Sequence, residues 1–298
     1  MISLYHLHIE PTTQCNARCP QCPRTDALNG DTRSDLPIIE WDPERLNTFL
    51  QAPAFRQVNG ILINGNYGDI VMHSSPLTFA RVCKNNAANV QINTNGSGLK
   101  PDFWEELAQM GVVVEFSIEG MSQKTHEIYR RNTNYKRILE NAKAFIDAGG
   151  EAKWAMTVFR HNQHEVDECE EFAHYLGFQE FNTRSDTSRF ENGQTEYVWR
   201  GEKHTLYAPE MAGGSLEQPC HIRRGATQTS LFLSADERVF PCCFSYIQSN
   251  PFAGHKIELN DLNYLDSQIQ MIYDEYIRTQ WHTPKEVCAS VCGIGSTQ

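Results

Sequence analysis

The 298-residue chain carries a formal net charge of −11, with 40% hydrophobic and 21% charged residues. This composition excludes a disordered chain and can bury a substantial core, as one large domain or a medium domain with a small one. The acidic balance, with no Lys/Arg run, argues against nucleic acid as the main partner.

Residues 5–10 set Tyr5, Leu7 and Ile9 against His6, His8 and Glu10 and read as a two-faced strand. His6 and His8 fit satisfied strand residues. The N-terminal segment shows no basic stretch leading into a long apolar run, and no apolar run of about eighteen residues occurs. A cytoplasmic chain without a membrane span is therefore expected. A cysteine-bearing loop follows the strand. A helix is expected over 43–52, where Asp42 can cap and Pro43 suits the first turn. A strand at 60–63 leads into the turn-rich segment Asn64 to Asp69. Further helices are expected over 75–87, 101–110 and 163–176, with two helical segments within 122–147. Strands are expected over 90–94, 112–117, 152–159 and 178–184. This β-loop-α rhythm, repeated about six times, predicts an α/β fold on a parallel sheet, open or barrel-like. Ligands collect at the carboxyl ends of such strands. Cys15 to Cys22, Gly65 to Asp69, Asn95, Ser117 and Glu119 all fall there, on one expected rim.

The rhythm stops near residue 190. Residues 191–219 are polar, include Gly213, Gly214 and Pro219, and read as a linker. Strands at 228–233 and 238–241 and an amphipathic helix at 266–280 follow. This is too little chain for an independent core, so a small appended unit held by a metal centre is expected.

The cysteines organise the chemistry. Clustered cysteines without a signal peptide read as metal or cluster ligands rather than disulfides. Cys15, Cys19 and Cys22 have the spacing C-x3-C-x2-C, enough to hold three irons of a cubane and leave the fourth open. A zinc knuckle is the alternative, with His6 or His8 as fourth ligand, although both precede the loop on a strand. Cys83 and Cys169 sit among apolar residues and read as core thiols. Cys220, Cys242, Cys243, Cys288 and Cys292 form a second set.

The segment from His8 to Arg24, with its three cysteines behind a first strand, resembles the radical S-adenosylmethionine (SAM) superfamily. The resemblance implies a partial (β/α)6 TIM-like barrel of the radical SAM type. It implies a [4Fe–4S] cluster on Cys15, Cys19 and Cys22, with SAM held at the open iron by its amino and carboxylate groups. Reductive cleavage of SAM would give a 5′-deoxyadenosyl radical that takes hydrogen from substrate. Gly65 and Asn66 lie where the family offers backbone carbonyls to the SAM ammonium, and are preferred here to Asp69. Asn95 matches the end of the third strand near the ribose. Ser117 and Glu119 match the end of the fourth, and Arg130 an arginine that pairs with the SAM carboxylate. Gln21 stands where the family usually has an aromatic or apolar residue near adenine.

The C-terminal set resembles the SPASM/twitch extension, a small α+β unit. The resemblance implies one auxiliary [4Fe–4S] cluster on Cys220, Cys242, Cys288 and Cys292, with Cys243 as an alternative to Cys242. A structural zinc site is the other reading. The implied organisation is a core at 1–190, a linker at 191–219 and an auxiliary-cluster domain at 220–298. The implied substrate is a peptide or small molecule, the outcome a net oxidation or cross-link, and the electron source flavodoxin or ferredoxin. Modification of RNA or a nucleoside, or a non-enzymatic iron–sulfur or zinc protein, are the competing readings. Arg184, Asp186 and Arg189 follow the sixth strand, either as a solvated ion-pair cluster or facing substrate.

Overall fold

The computed structural model describes residues 4–185, 189–210 and 229–240, together with residues 243, 255, 256, 267, 269 and 271. Strands β1 (Leu4–Ile9), β2 (Gly60–Ile63), β3 (Asn89–Thr94), β4 (Val113–Ser117), β5 (Glu151–Thr157) and β6 (Glu180–Arg184) lie side by side in parallel. Helices α1 (Pro43–Leu50), α2 (Pro76–Asn86), α3 (Pro101–Ala108), α5 (Tyr135–Asp147) and α6 (Val166–Leu176) fill the crossovers, and the short α4 (Gln123–Tyr129) precedes α5. The expected α/β architecture on a parallel sheet is met.

Local chemistry places the helix ends. Asp42 accepts from Arg45 N at 2.9 Å with Pro43 in the first turn, and Asn134 accepts from Arg137 N at 2.9 Å. Helix α6 stops at Gly177, whose φ of 96° suits a residue without Cβ. The helix-facing sides of the strands supply Leu7, Ile9, Ile61, Ile63, Ile92, Val114, Phe116 and Trp154. These pack with helical Leu46, Phe49, Phe79, Trp104, Ile138 and Phe145 in one buried core, which also holds Cys83 and Cys169. The alternate positions of β1, β3 and β4 carry His6, His8, Gln91, Asn93 and Glu115, so the other face of the sheet is polar.

Strand β9 (Thr229–Leu233) pairs in parallel with β1 on the side away from β2, and β10 (Arg238–Phe240) and β11 (His255–Lys256) add antiparallel strands beyond it. The strands expected near 228–233 and 238–241 thus continue the main sheet. Leu231, Leu233 and Val239 join the same core, and pairing with β9 removes the exposed edge of β1.

The first half of the segment 191–219, read as a linker, contains two strands that the sequence analysis did not expect. Strands β7 (Gln194–Trp199) and β8 (Glu202–Tyr207) form an antiparallel hairpin. Arg200 and Gly201 turn it with φ of 51° and 81°, the two-residue geometry that matches strand twist. High charge hid the alternation, yet Tyr197 and Leu206 are buried. Cys220, Cys242, Cys288, Cys292 and Asp186, and most of the helix expected at 266–280, lie outside the described residues. Among the described residues, no helix is long and apolar enough to cross a membrane.

Candidate active site

The cysteine loop leaves the carboxyl end of β1 and packs under the β7–β8 hairpin. Cys19 is buried, Cys15 and Cys22 are half-buried, and all three share an apolar cluster with Ala17, Tyr129, Phe159, Tyr197 and Leu206. Polar donors reach the sulfurs from several sides. Ala17 N lies 3.4 Å and Asn95 Nδ2 3.7 Å from Cys15 Sγ, and Arg130 Nη1 lies 3.7 Å from Cys19 Sγ. The loop is tied down by Arg18 N donating to Arg131 O at 2.9 Å and Asn132 Nδ2 donating to Asn16 O at 2.7 Å.

Burial first, then Asp69 and the two neighbouring thiols, pushes the Cys15 thiol up. Burial pushes Cys19 up to about 11 against the pull of the Arg130 guanidinium, and burial raises Cys22 as well. The neutral thiol is thus favoured at all three, and a bound cationic partner would favour the thiolates. Among the described residues, no three His, Cys, Asp or Glu side chains converge as the ligands of one metal ion do. A cubane asks for something else, since each thiolate takes its own iron.

The loop after β2 is held against the cysteine loop. A Cβ at Gly68 would lie 1.8 Å from Thr12 O, and one at Gly65 would lie 2.2 Å from Gly68 O, so both close approaches require glycine. Cys22 Sγ lies 3.9 Å from the Asn66 carbonyl oxygen, and Asn66 Nδ2 donates to Cys243 O at 3.0 Å. Gly65 and Asn66 thus border the third cysteine.

Three buried carboxylates organise this rim. Asp69 accepts from Thr94 Oγ1 at 2.7 Å, Val71 N at 3.1 Å, and both Asn95 N and Asn95 Nδ2 at 2.7 Å. Asn95 Nδ2 also approaches Asn16 Oδ1 at 2.9 Å, so Asp69 fixes Asn95 against the cysteine loop. Glu10 is wholly buried; it accepts from Tyr67 N at 2.7 Å and faces Ala235 N at 3.5 Å. Burial pushes it up to about 7, against the pull of those amides. Glu119 is wholly buried and takes Arg130 Nε at 3.0 Å. Burial raises its carboxyl, with Arg130 and Thr157 opposing. His126, pushed down to about 3 by burial and Arg130, accepts from Glu119 N at 3.1 Å through Nδ1.

Cys15, Cys19, Cys22, Gly65, Asn66, Asn95, Ser117, Glu119 and Arg130 all lie at or beyond the carboxyl ends of β1 to β4. Arg130 bridges Glu119 and Cys19. Ser117 is buried at the end of β4. Gln21 Nε2 donates to Thr195 Oγ1 at 2.9 Å and Arg189 O at 3.1 Å, joining the cysteine loop to the hairpin. Arg184 pairs with Glu115. His8 Nε2 meets Asn64 O at 2.7 Å, as a satisfied strand histidine does. Sequence reasoning ranked Asp69 below Gly65 and Asn66, gave Glu10 a face of the first strand but no role, and passed over His126. The signal for Glu10 was its place on the polar face of β1, after His6 and His8; for Asp69, it was the position just before the apolar turn Ile70-Val71.

A family model, the Radical SAM superfamily, matches residues 9–175, more than half of the chain. This chain belongs to the radical SAM superfamily. No curated protein matches it in sequence. Among solved structures, Streptococcus suis SuiB bound to its precursor peptide SuiA is similar at 14% identity and TM-score 0.63, over 90% of this chain and 67% of that one. Streptococcus suis SuiB bound to S-adenosylmethionine is similar at 15% identity and TM-score 0.63, over 93% and 68%. Native anSMEcpe with bound AdoMet is similar at 14% identity and TM-score 0.62, over 97% and 89%. At these identities the likeness establishes a shared fold, the α/β radical SAM fold.

The superfamily implies a [4Fe–4S] cluster and SAM, and the donor set fits a cluster. Three soft sulfurs lie on one loop, with N–H groups of Ala17, Asn95 and Arg130 directed at two of them, as electron-rich cluster sulfurs require.

Proposed function

We propose that this radical SAM protein reductively cleaves SAM and abstracts hydrogen from a peptide or small-molecule substrate, giving a net oxidation or cross-link. The observation that carries the reading is the enclosure of Cys15, Cys19 and Cys22 by Asn95, Arg130 and the hairpin, beside the Asn66 carbonyl. A cluster held by Cys15, Cys19 and Cys22, with SAM bound beside it, would supply the chemistry, a one-electron cleavage of SAM.

The chain's own residues bind and orient. Gly65 and Asn66 present backbone oxygen to the SAM ammonium, and Asp69 holds their loop to the end of β3. Asn95 and Ser117 line the ribose side. Glu119 aims the Arg130 guanidinium, whose planar fork suits the SAM carboxylate. Tyr129, Phe159 and Tyr197 exclude water around Cys19, which protects a reactive species from quenching. Gln21, bound to the hairpin, leaves adenine to backbone contacts.

SuiB has been solved with its precursor peptide SuiA, and anSMEcpe with the Cp18Cys peptide. These neighbours favour a peptide over the other substrate classes. Cys220, Cys242, Cys288 and Cys292 are proposed to hold an auxiliary [4Fe–4S] cluster in a domain spanning 220–298, behind the core at 1–190 and the segment 191–219. Such a cluster could accept an electron from substrate. A flavodoxin or ferredoxin is the proposed electron donor, and the cytoplasm the proposed location.

The test is anaerobic incubation of reconstituted enzyme with SAM and dithionite. Formation of 5′-deoxyadenosine and methionine is expected, and their absence from a fully iron-loaded preparation would overturn the reading. Arg130→Ala should weaken SAM binding about tenfold or more while iron content holds; unchanged affinity would remove Arg130 from the site.

A further inference from the structure

Beside the cysteine loop, on the side of the turn after α4, lies a polar cavity of about 410 Å³. Arg131, Arg137 and Arg200 line it with Glu127, Asn16 and Trp199. Three guanidiniums against one carboxylate leave the cavity cationic on a chain of net charge −11. The adjacent Arg130 pairs with Glu119. Among the described residues no carboxylate pairs with Arg131, Arg137 or Arg200. Glu127 instead accepts from Gln123 Nε2 at 2.9 Å.

Two further observations bear on the site. Arg131 is held in place by Nη2, which donates to Tyr197 Oη at 2.7 Å. The cavity also faces the start of the 13-residue helix α5, since Asn134 and Arg137 line it. The positive end of that helix adds to the guanidinium field.

We propose that this cavity binds the carboxylates of an acidic peptide segment. The assignment rests on the peptide reading above for the nature of the ligand, and on the cavity itself for its charge. The guanidiniums come from three separate places: the turn after α4, the first turn of α5 and the tip of the β7–β8 hairpin. A compact anion such as phosphate is best held by donors converging on one point, whereas side-chain carboxylates spaced along a flexible chain can reach separated partners. Trp199 carries Arg200 at 5.3 Å and Arg131 at 5.8 Å over its ring, which holds two of the guanidiniums in place at the cavity wall. An acidic segment is repelled over most of this surface and drawn to this place. Asn16 belongs both to the cavity wall and to the residue following Cys15. A segment bound here is therefore anchored one residue from the cysteine set.

The test is calorimetric titration of the reconstituted full chain at low salt with hexaglutamate, hexalysine and glutarate. Hexaglutamate should bind and hexalysine should not. Binding should weaken about tenfold or more in Arg137→Ala/Arg200→Ala, survive largely in Arg137→Lys/Arg200→Lys, and fall as salt is raised. Absence of hexaglutamate binding, or equal binding to the alanine double variant, would overturn the proposal. Glutarate binding as tightly as hexaglutamate would overturn the peptide assignment in favour of a small dicarboxylate. SAM cleavage without peptide should be unchanged in both double variants. Failure of the SAM reading would appear separately, as wild-type enzyme that makes no 5′-deoxyadenosine.

Discussion

The helix-facing side of the sheet and the rim at the ends of the same strands are held by different physics. Under the helices, Ile63, Ile92, Phe116 and Trp154 are fully buried among other apolar side chains, and the stabilising effect is burial and packing. At the rim, a few residues further along the chain, Glu10 and Glu119 are just as inaccessible and Asp69 is buried too. Each persists there because amides or a guanidinium face it. The first region tolerates volume-conserving change and resists loss of volume. The second has no apolar reserve, so exchanging one atom matters. The contrast separates stability from chemistry and can be tested one side chain at a time.

The largest expected effect lies at the rim. Cys19→Ala should abolish 5′-deoxyadenosine formation, measured by chromatography after anaerobic turnover, while the circular dichroism spectrum stays that of wild type. Cleavage at the wild-type rate would show the loop to be wrongly assigned. In the core the pattern reverses. Trp154→Ala removes a wholly buried ring whose Nε1 donates to Ile118 O at 2.9 Å. It should cost about 3–5 kcal/mol in urea unfolding, and the folded fraction should still carry iron.

Asp69→Asn tests the rim more gently. The carboxylate accepts from Asn95 twice, from Thr94 and from Val71, and an amide nitrogen placed there would face a donor. A loss of about 1–3 kcal/mol is expected, with weaker SAM binding at unchanged iron content. Wild-type SAM affinity would show that Asp69 does not position Asn95. The smallest effect concerns pH. Glu10 is raised to about 7 from 4.5, so its contribution to stability is complete below about 4.5 and is lost as pH rises through about 7. Glu10→Gln lacks that loss. From pH 5 to 8 its stability relative to wild type should improve by about 1–3 kcal/mol. A parallel pair of stability–pH curves would contradict the burial assigned to Glu10.

Much of the core region was legible in the sequence because strand and helix periods are local. Leu7 and Ile9 declare their face by alternating with His6 and His8, the apolar runs at Ile61–Ile63 and Val112–Val114 declare buried strands, and Asp42-Pro43 declares a helix start. The cysteine loop was legible because its spacing carries its own chemistry. The rim carboxylates were harder to read. Asp69 acquires its meaning from Thr94 and Asn95, at the end of another strand, and Glu10 from Tyr67 and Ala235, which are 57 and 225 residues away in sequence. The hairpin was missed because Glu196, Arg200, Glu202 and Lys203 give it the composition of a linker. Its buried side, Tyr197 and Leu206, becomes apolar only against Tyr129 and Phe159. Contacts of long sequence separation are what a single sequence conceals.

The most direct test of the central claim is iron and acid-labile sulfide content, prepared without oxygen, in wild type and the Cys15/Cys19/Cys22→Ala triple variant. The account predicts a loss of about four irons per chain in the variant, from about eight if the proposed auxiliary cluster is present. Iron and sulfide unchanged in the triple variant would contradict it.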